Sequence, residues 1–533
     1  MNALESKSMA YELHRPVPAG GSHGLEENKD PGVHTGTGQD AVDMARLGRK
    51  QEFKRNFHSW AVVGLSSVIM ATWVALLGSA SFSLIDGGYA GTVYTYIAVW
   101  LLTIPVTLSL AEMASIGRAP TSGGQYHWTS EFAPPSSQRF LSYIVGWLSS
   151  LGWQAAIATT AYGAGNVILQ MGAISYPSYV PTKWHATLMT MGVTMLSVFF
   201  NTLGARHLPL FESLILILHI VGFLAVIITL GVLAPKAPAE QVFTEFSNFG
   251  GWTSIGGACV VGMLTATGSL GGSDSPAHIA EEVRNASVVV PRMMITTIIL
   301  NGILGLAMII MFCFCITDLQ SHIWFSASAF PYVDVFLAAT NSKGGTVALV
   351  SIIAALNICA NLSVVAAGSR QTWAFARDNG LPFSSTLRKI TTIGTPIPLY
   401  SVFASLIITV VVSLLNLAGS TAFNSVVGLL SGSGGVSYSI SRSCVLWKRI
   451  TGQPLPHAPF RLGIWGIPIN IIAVAYCIVL TTMSFFPMFA AVSVETMDWG
   501  IAMFGGATIL CMVYYFVWGN KFYQPPAVHL NKD

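Results

Sequence analysis

Apolar stretches of about twenty residues recur along almost the whole chain from Trp60 onward, separated by short polar loops. Each is long enough to cross roughly 30 Å of hydrocarbon as a helix. The pattern predicts helices at Trp60 to Leu84, Thr92 to Ile116, Phe140 to Gln170, Trp184 to Leu203, Leu210 to Leu233 and Ile255 to Asp274. Further spans follow at Met293 to Ile316, Thr346 to Ala376, Leu399 to Leu417, Phe423 to Trp447, Ile467 to Ala490 and Trp499 to Trp518. The expected fold class is therefore an all-α membrane protein with twelve transmembrane helices over residues 58–520. Residues 1–57, polar and rich in Gly, His and charge, read as a disordered cytosolic tail without signal peptide or anchor, and 521–533 as a short cytosolic tail.

Composition sharpens this picture. The chain is 53% hydrophobic and only 9% charged, against about 25% charged in soluble domains. Assigning loops to alternate sides puts Lys183, Lys236 and Lys343 on one face and the other 23 of the 26 Lys and Arg on the opposite one. By the positive-inside rule the latter face, with both termini, is cytosolic. A net charge of +3 with scattered basic residues gives no nucleic-acid partner. The cysteines lie in or near apolar runs, so neither a disulfide framework nor a metal site is expected.

Two spans are poor continuous helices. Span 6 contains the run from Thr265 through Gly268, Ser269, Leu270, Gly271, Gly272, Ser273 and Asp274 to Pro276, small and helix-weakening residues ending in a carboxylate and a proline. Span 1, five spans earlier, carries Ser66, Ser67 and then Met70-Ala71-Thr72-Trp73. The two positions correspond if spans 1–5 and 6–10 form inverted repeats (60–233 and 255–447), with two further helices over 467–518. Broken helices meeting at the midplane offer free N–H groups to a carboxylate and free C=O groups to an amine or cation. The other reading is that these small residues only allow close helix packing.

Several stretches resemble the amino acid–polyamine–organocation superfamily, in its fungal amino acid/choline, γ-aminobutyrate permease-like branch. They are Ala111-Glu112-Met113-Ala114-Ser115 with Ala119-Pro120-Thr121-Ser122-Gly123-Gly124-Gln125-Tyr126-His127-Trp128, then Ser273-Asp274-Ser275-Pro276-Ala277-His278 followed by Glu281-Glu282-Val283-Arg284-Asn285 and Pro291-Arg292. Ser369-Arg370-Gln371-Thr372-Trp373-Ala374-Phe375-Ala376-Arg377-Asp378-Asn379-Gly380-Leu381-Pro382 and Thr395-Pro396-Ile397-Pro398 add to it. Ala286 replaces a common proline, and the break in span 1 has no glycine. The resemblance implies a LeuT-type 5+5 inverted repeat plus two helices, a central site formed by helices 1, 3, 6, 8 and 10, and transport by alternating access.

Candidate substrate-binding residues are Thr72, Trp73, Gln154, Gly268, Ser269, Leu270, Gly272 and Asn357, and candidate coupling or gating residues are Asp274 and His219. Thr72 supplies a hydroxyl and Trp73 an indole that caps a pocket or faces an ammonium group. Gln154 and the pair Asn357 and Asn361 suit either a cavity or an interhelical hydrogen bond. His219, in the middle of span 5, suits proton coupling or a structural role, and a lysine can stand there in related superfamily members. Arg284, Arg292, Arg370 and Arg377 read as positive-inside anchors.

No phosphate-binding loop, nucleophile–base arrangement or metal-spaced cluster stands in a polar segment, so the chain is not expected to be an enzyme or an ATP-driven pump, and no cofactor is implied. Proton entry down roughly 100 mV supplies about 2.3 kcal/mol. One pH unit adds about 1.4 kcal/mol. Together these suffice for roughly 500-fold accumulation. The expected activity is uptake of an amino acid, γ-aminobutyrate, choline or a polyamine across the plasma membrane, driven by protons. A transport-deficient nutrient sensor is the alternative from another class.

Overall fold

The computed structural model describes residues 36–37, 40, 51–116, 121–176, 178–321, 330–456, 458–494 and 496–526. The chain is a mostly helical membrane protein. Among the described residues eight helical runs are long and apolar enough to cross a membrane: 59–85, 88–116, 205–233, 286–315, 343–377, 399–418, 463–483 and 500–522. Helices also stand where spans 3, 4 and 10 were expected, and two short helices where span 6 was.

In chain order the helices used below are α1 (Ser59–Met70), α2 (Thr72–Ile85), α3 (Gly88–Ile116), α4 (Gln125–Phe132), α5 (Gln138–Ser175), α6 (Lys183–Thr202) and α7 (Leu208–Leu233). They continue with α8 (Ile255–Gly262), α9 (Leu264–Ser269), α10 (Ser275–His278), α11 (Ala286–Cys315), α12 (Lys343–Arg377), α13 (Leu399–Ser413), α14 (Ser420–Ile450), α15 (Gly466–Met483) and α16 (Gly500–Tyr514). The long α5 packs on both α12 and α14, while α1 packs on α7 and α3 on α11.

Helix α7 shows how the sequence orients a helix in lipid. Leu210, Leu214, Ile217, Val221, Leu224 and Ile228 are exposed, whereas Glu212, Ile215, His219, Gly222, Val226 and Leu230 are buried. Both sets repeat every three or four residues, so they occupy opposite stripes. The two ionisable groups lie in the stripe that faces protein, where polar side chains in a membrane find partners. A Cβ at Gly64 of α1 would stand 2.0 Å from the Glu212 carbonyl oxygen, so only glycine lets the two backbones come this close.

Residues 51–57, assigned to the tail from sequence, pack into the fold. Phe53 meets Trp373 edge-on at 4.8 Å, the Phe57 N–H donates to the Glu282 carbonyl at 3.0 Å, and Arg55 donates to the Val283 carbonyl at 2.8 Å. Aromatic residues on either side of Arg55 bury against the bundle and draw the guanidinium in with them. Apart from 36–37 and 40, the remainder of the expected tail, and 527–533 at the other end, lie outside the described residues, as do 117–120 of the first quoted motif.

At the turn between α2 and α3, Asp86 is 1% exposed. Its carboxyl is pushed up from 3.8 to about 6, chiefly by burial, with the Trp252 indole and the Gly250 backbone N–H partly countering. A carboxyl raised in the folded state favours folding while protonated; that contribution is fully present below the unfolded value and is lost as pH rises through about 6. Asp86→Asn is therefore expected to flatten the fall in melting temperature of the detergent-solubilised protein between pH 4 and pH 7; a fall as steep as in wild type would refute the assignment.

Candidate functional site

Helices α1 and α2 are one span interrupted at Ala71, whose φ of 38° is left-handed. The interruption lies within the Met70-Ala71-Thr72-Trp73 segment. Helix α9 ends at Ser269, residues 270–274 leave the helix with Gly272 at φ +92°, and α10 resumes at Ser275 with Pro276 in its first turn, where a missing N–H is tolerated. A helix that stops leaves its last carbonyls without intrahelical partners. One of them, on Ser269, accepts the Thr72 hydroxyl at 2.8 Å, which joins the two breaks. Beside this bond Gly268 and Gly271 present exposed backbone, and at Gly268 no atom lies within 4 Å of where a Cβ would stand.

Below the second break is a buried polar hub. Asp274 Oδ1 accepts the Tyr438 hydroxyl at 2.6 Å from α14, and Oδ2 accepts the Gln125 amide at 2.5 Å from α4. His278, one helical turn on, places Nε2 3.1 Å from Oδ2. The same nitrogen lies 3.0 Å from the Trp153 indole N–H of α5. Asp274 is thus held by three side chains, those of Tyr438, Gln125 and His278, and His278, Gln125, Tyr438 and Trp153 were not among the residues predicted from sequence. The i, i+4 spacing within the 273–278 motif was sufficient to find His278; nothing local marks Tyr438, 164 residues away.

The remaining candidates fall into distinct places. Trp73 is fully buried, its ring 6.0 Å from His219 and 6.1 Å from Phe223. Buried His219 has Asn301 as a polar neighbour. Ser269 and Leu270 are buried at the break, and Gly272 is partly buried beside Ile69. Gln154 donates to Thr372 at 2.9 Å and Ser405 at 3.0 Å, bonding α5 to α12 and α13. Asn361 joins α12 to α6 and α5 through Ser197 and the Ile157 carbonyl. Half-buried Asn357 donates back to the Ile353 carbonyl of its own helix.

Ion pairs tie segments together at the end of the bundle rich in basic residues. Arg370 meets Glu282 at 2.8 Å, Arg377 meets Glu281 at 2.9 Å, and Arg449 meets Glu112 at 2.5 Å. Arg370 and Arg377, read from sequence as positive-inside anchors, pair with the two acids that follow α10. The acids lie 88 and 96 positions away, so the pairing is a product of the fold.

Residues 58–514 match the amino acid permease family. An uncharacterized amino-acid permease of Schizosaccharomyces pombe is 31% identical over 507 residues, covering 93% of this chain and 90% of the relative. Amino-acid permease 2 of Neurospora crassa is 29% identical over 502 residues, covering 93% and 90%. A choline transporter of Saccharomyces cerevisiae is 28% identical over 472 residues, covering 88% and 82%.

Proposed function

Because the chain belongs to the amino acid permease family, a family of transporters and not enzymes, we propose that it takes up a small amino compound by alternating access. The full reading has twelve spans, a LeuT-type 5+5 inverted repeat with two added helices, residence in the plasma membrane with both termini cytosolic, and coupling to protons. The observation that carries it is the pair of interrupted helices joined through Thr72 and Ser269 beside the bare backbone of Gly268 and Gly271. Unspent peptide dipoles of that kind can hold a carboxylate or an ammonium group without a charged side chain. Thr72, Gly268, Ser269, Leu270 and Gly272 form the substrate site in this reading. Trp73 shapes it from behind, Asn357 and Gln154 support it from α12 and α5, and Asp274 and His219 are the coupling or gating groups.

The substrate is an amino acid such as γ-aminobutyrate, with choline or a polyamine as the second reading, favoured by the relative that carries the name choline transporter. Uptake of radiolabelled alanine, γ-aminobutyrate, choline and spermidine into proteoliposomes tests it. Accumulation of one of them that is competed by its unlabelled form, and abolished by collapsing both the pH gradient and the potential, is the expected result. Accumulation indifferent to both gradients would refute proton coupling, and the absence of any uptake would refute transport of these compounds.

A further inference from the structure

In the hub below the second break, His278 faces more partners than one protonation state can satisfy. His278 Nε2 faces two groups at hydrogen-bond distance, the Asp274 carboxylate at 3.1 Å and the Trp153 indole N–H at 3.0 Å. A nitrogen carrying a proton donates to the carboxylate and cannot accept from the indole, whereas a bare nitrogen accepts from the indole and repels an ionised carboxylate. The opposite nitrogen, Nδ1, lies 3.1 Å from the Gln371 amide and 3.3 Å from the Ser122 carbonyl. With the Gln371 oxygen toward it, a protonated Nδ1 donates. With the amide turned over, its NH₂ donates to a bare Nδ1 and to one of the nearby Ser122 and Gly123 carbonyls, while its oxygen accepts from Ser149. The surroundings of His278 therefore satisfy the ring both with and without an added proton.

We propose that Asp274 and His278 together form a proton-binding site, the seat of the transported proton, latched by Gln125 and Tyr438; this rests on the proton-coupled reading above. Asp274 is 2% and His278 0% exposed. With the proton aboard, the site is an imidazolium beside a carboxylate, neutral overall. Without it, a net negative charge would stay buried away from water, which is unfavourable within a bilayer. The proton is consequently held while the basic end of the bundle is closed.

Two of the donors that stabilise the carboxylate come from elements outside the broken helix, Gln125 on α4 and Tyr438 on α14. When these withdraw and water enters, the charge is no longer costly and the proton passes from the imidazole to water, one proton in and one out per cycle. The ionisable groups facing the pair are Tyr438 on α14, with the Arg442 guanidinium 4.9 Å from its ring, and Glu281 beyond the Ser122 N–H, itself paired with Arg377. From α5 and α12 the neighbours are the neutral Trp153 and Gln371.

Full-length protein in vesicles loaded with a pH-sensitive dye gives the test, with alanine, γ-aminobutyrate and choline added separately. Internal acidification reports the proton, and exchange of labelled for unlabelled substrate reports the carrier step. His278→Gln is expected to lower acidification at least tenfold more than it lowers exchange, and Asp274→Asn, read the same way, serves if the first variant does not fold. Equal loss of both signals in the folded variants, or acidification retained, overturns the site. Wild-type vesicles that exchange without acidifying would instead remove proton coupling, and this site with it.

Discussion

Gly268→Leu should reduce transport about 100-fold, equivalent to ~2.7 kcal/mol, while leaving the protein folded. The position is exposed, and a Cβ built on it meets nothing within 4 Å. Leucine also favours helix over glycine by roughly 1 kcal/mol, so the last turn of α9 gains rather than loses from the change. What the side chain removes is the open space beside the Thr72–Ser269 bond, where the proposed substrate meets bare backbone. Gly272→Leu is the informative contrast, because φ of +92° there excludes an L side chain without strain and the break itself must shift. The two variants should therefore separate: the first melts like wild type and does not transport, the second loses melting temperature as well. Normal uptake by Gly268→Leu would place the substrate elsewhere.

That contrast also shows what the sequence carried. The break at 270–274 was legible because local composition dictates it: a run of small residues and a proline weakens a helix wherever it stands. The break at 70–73 has no such composition and was placed by its correspondence to span 6 and by the resemblance. The stripe of exposed apolar residues on α7 is as local as the break at 270–274. The role of an intramembrane polar residue was not legible, because its partner decides it. Gln154 and Asn361 look alike on paper to any cavity amide, and in the fold each amide nitrogen donates to other helices. Trp73 next to the break could cap a pocket, face an ammonium group or pack on a neighbouring helix, and sequence alone did not show that its ring lies beside His219 and Phe223 of α7. Asp274 was found because a carboxylate in an apolar span is conspicuous, whereas Tyr438, in a helix of Ser and Gly, offers no such signal.

The same reasoning applies to an ion pair at the basic end, and it fixes the sign of its removal. Arg370 and Glu282 have side chains 2% and 10% exposed and meet at 2.8 Å. Arg370 also donates to the Ala366 carbonyl at 3.4 Å and the Asn201 side-chain Oδ1 at 3.5 Å. Removing one member of a buried pair strands the other charge without water, at a typical cost of 3–5 kcal/mol. Total stabilities are commonly about 5–15 kcal/mol, so Arg370→Met alone is expected to lower the melting temperature and the yield of monodisperse protein sharply. Removing both charges takes away the desolvation penalty together with the attraction. The double variant Arg370→Met/Glu282→Gln should thus be more stable than Arg370→Met, with a favourable coupling in a double-mutant cycle measured by thermal unfolding. Additive losses would mean that the two charges act independently and that this end is held by the apolar contacts of Phe53 and Phe57. With coupling present, the pair holds the segment after α10 against α12, so weakening it should favour opening at this end and raise exchange relative to accumulation.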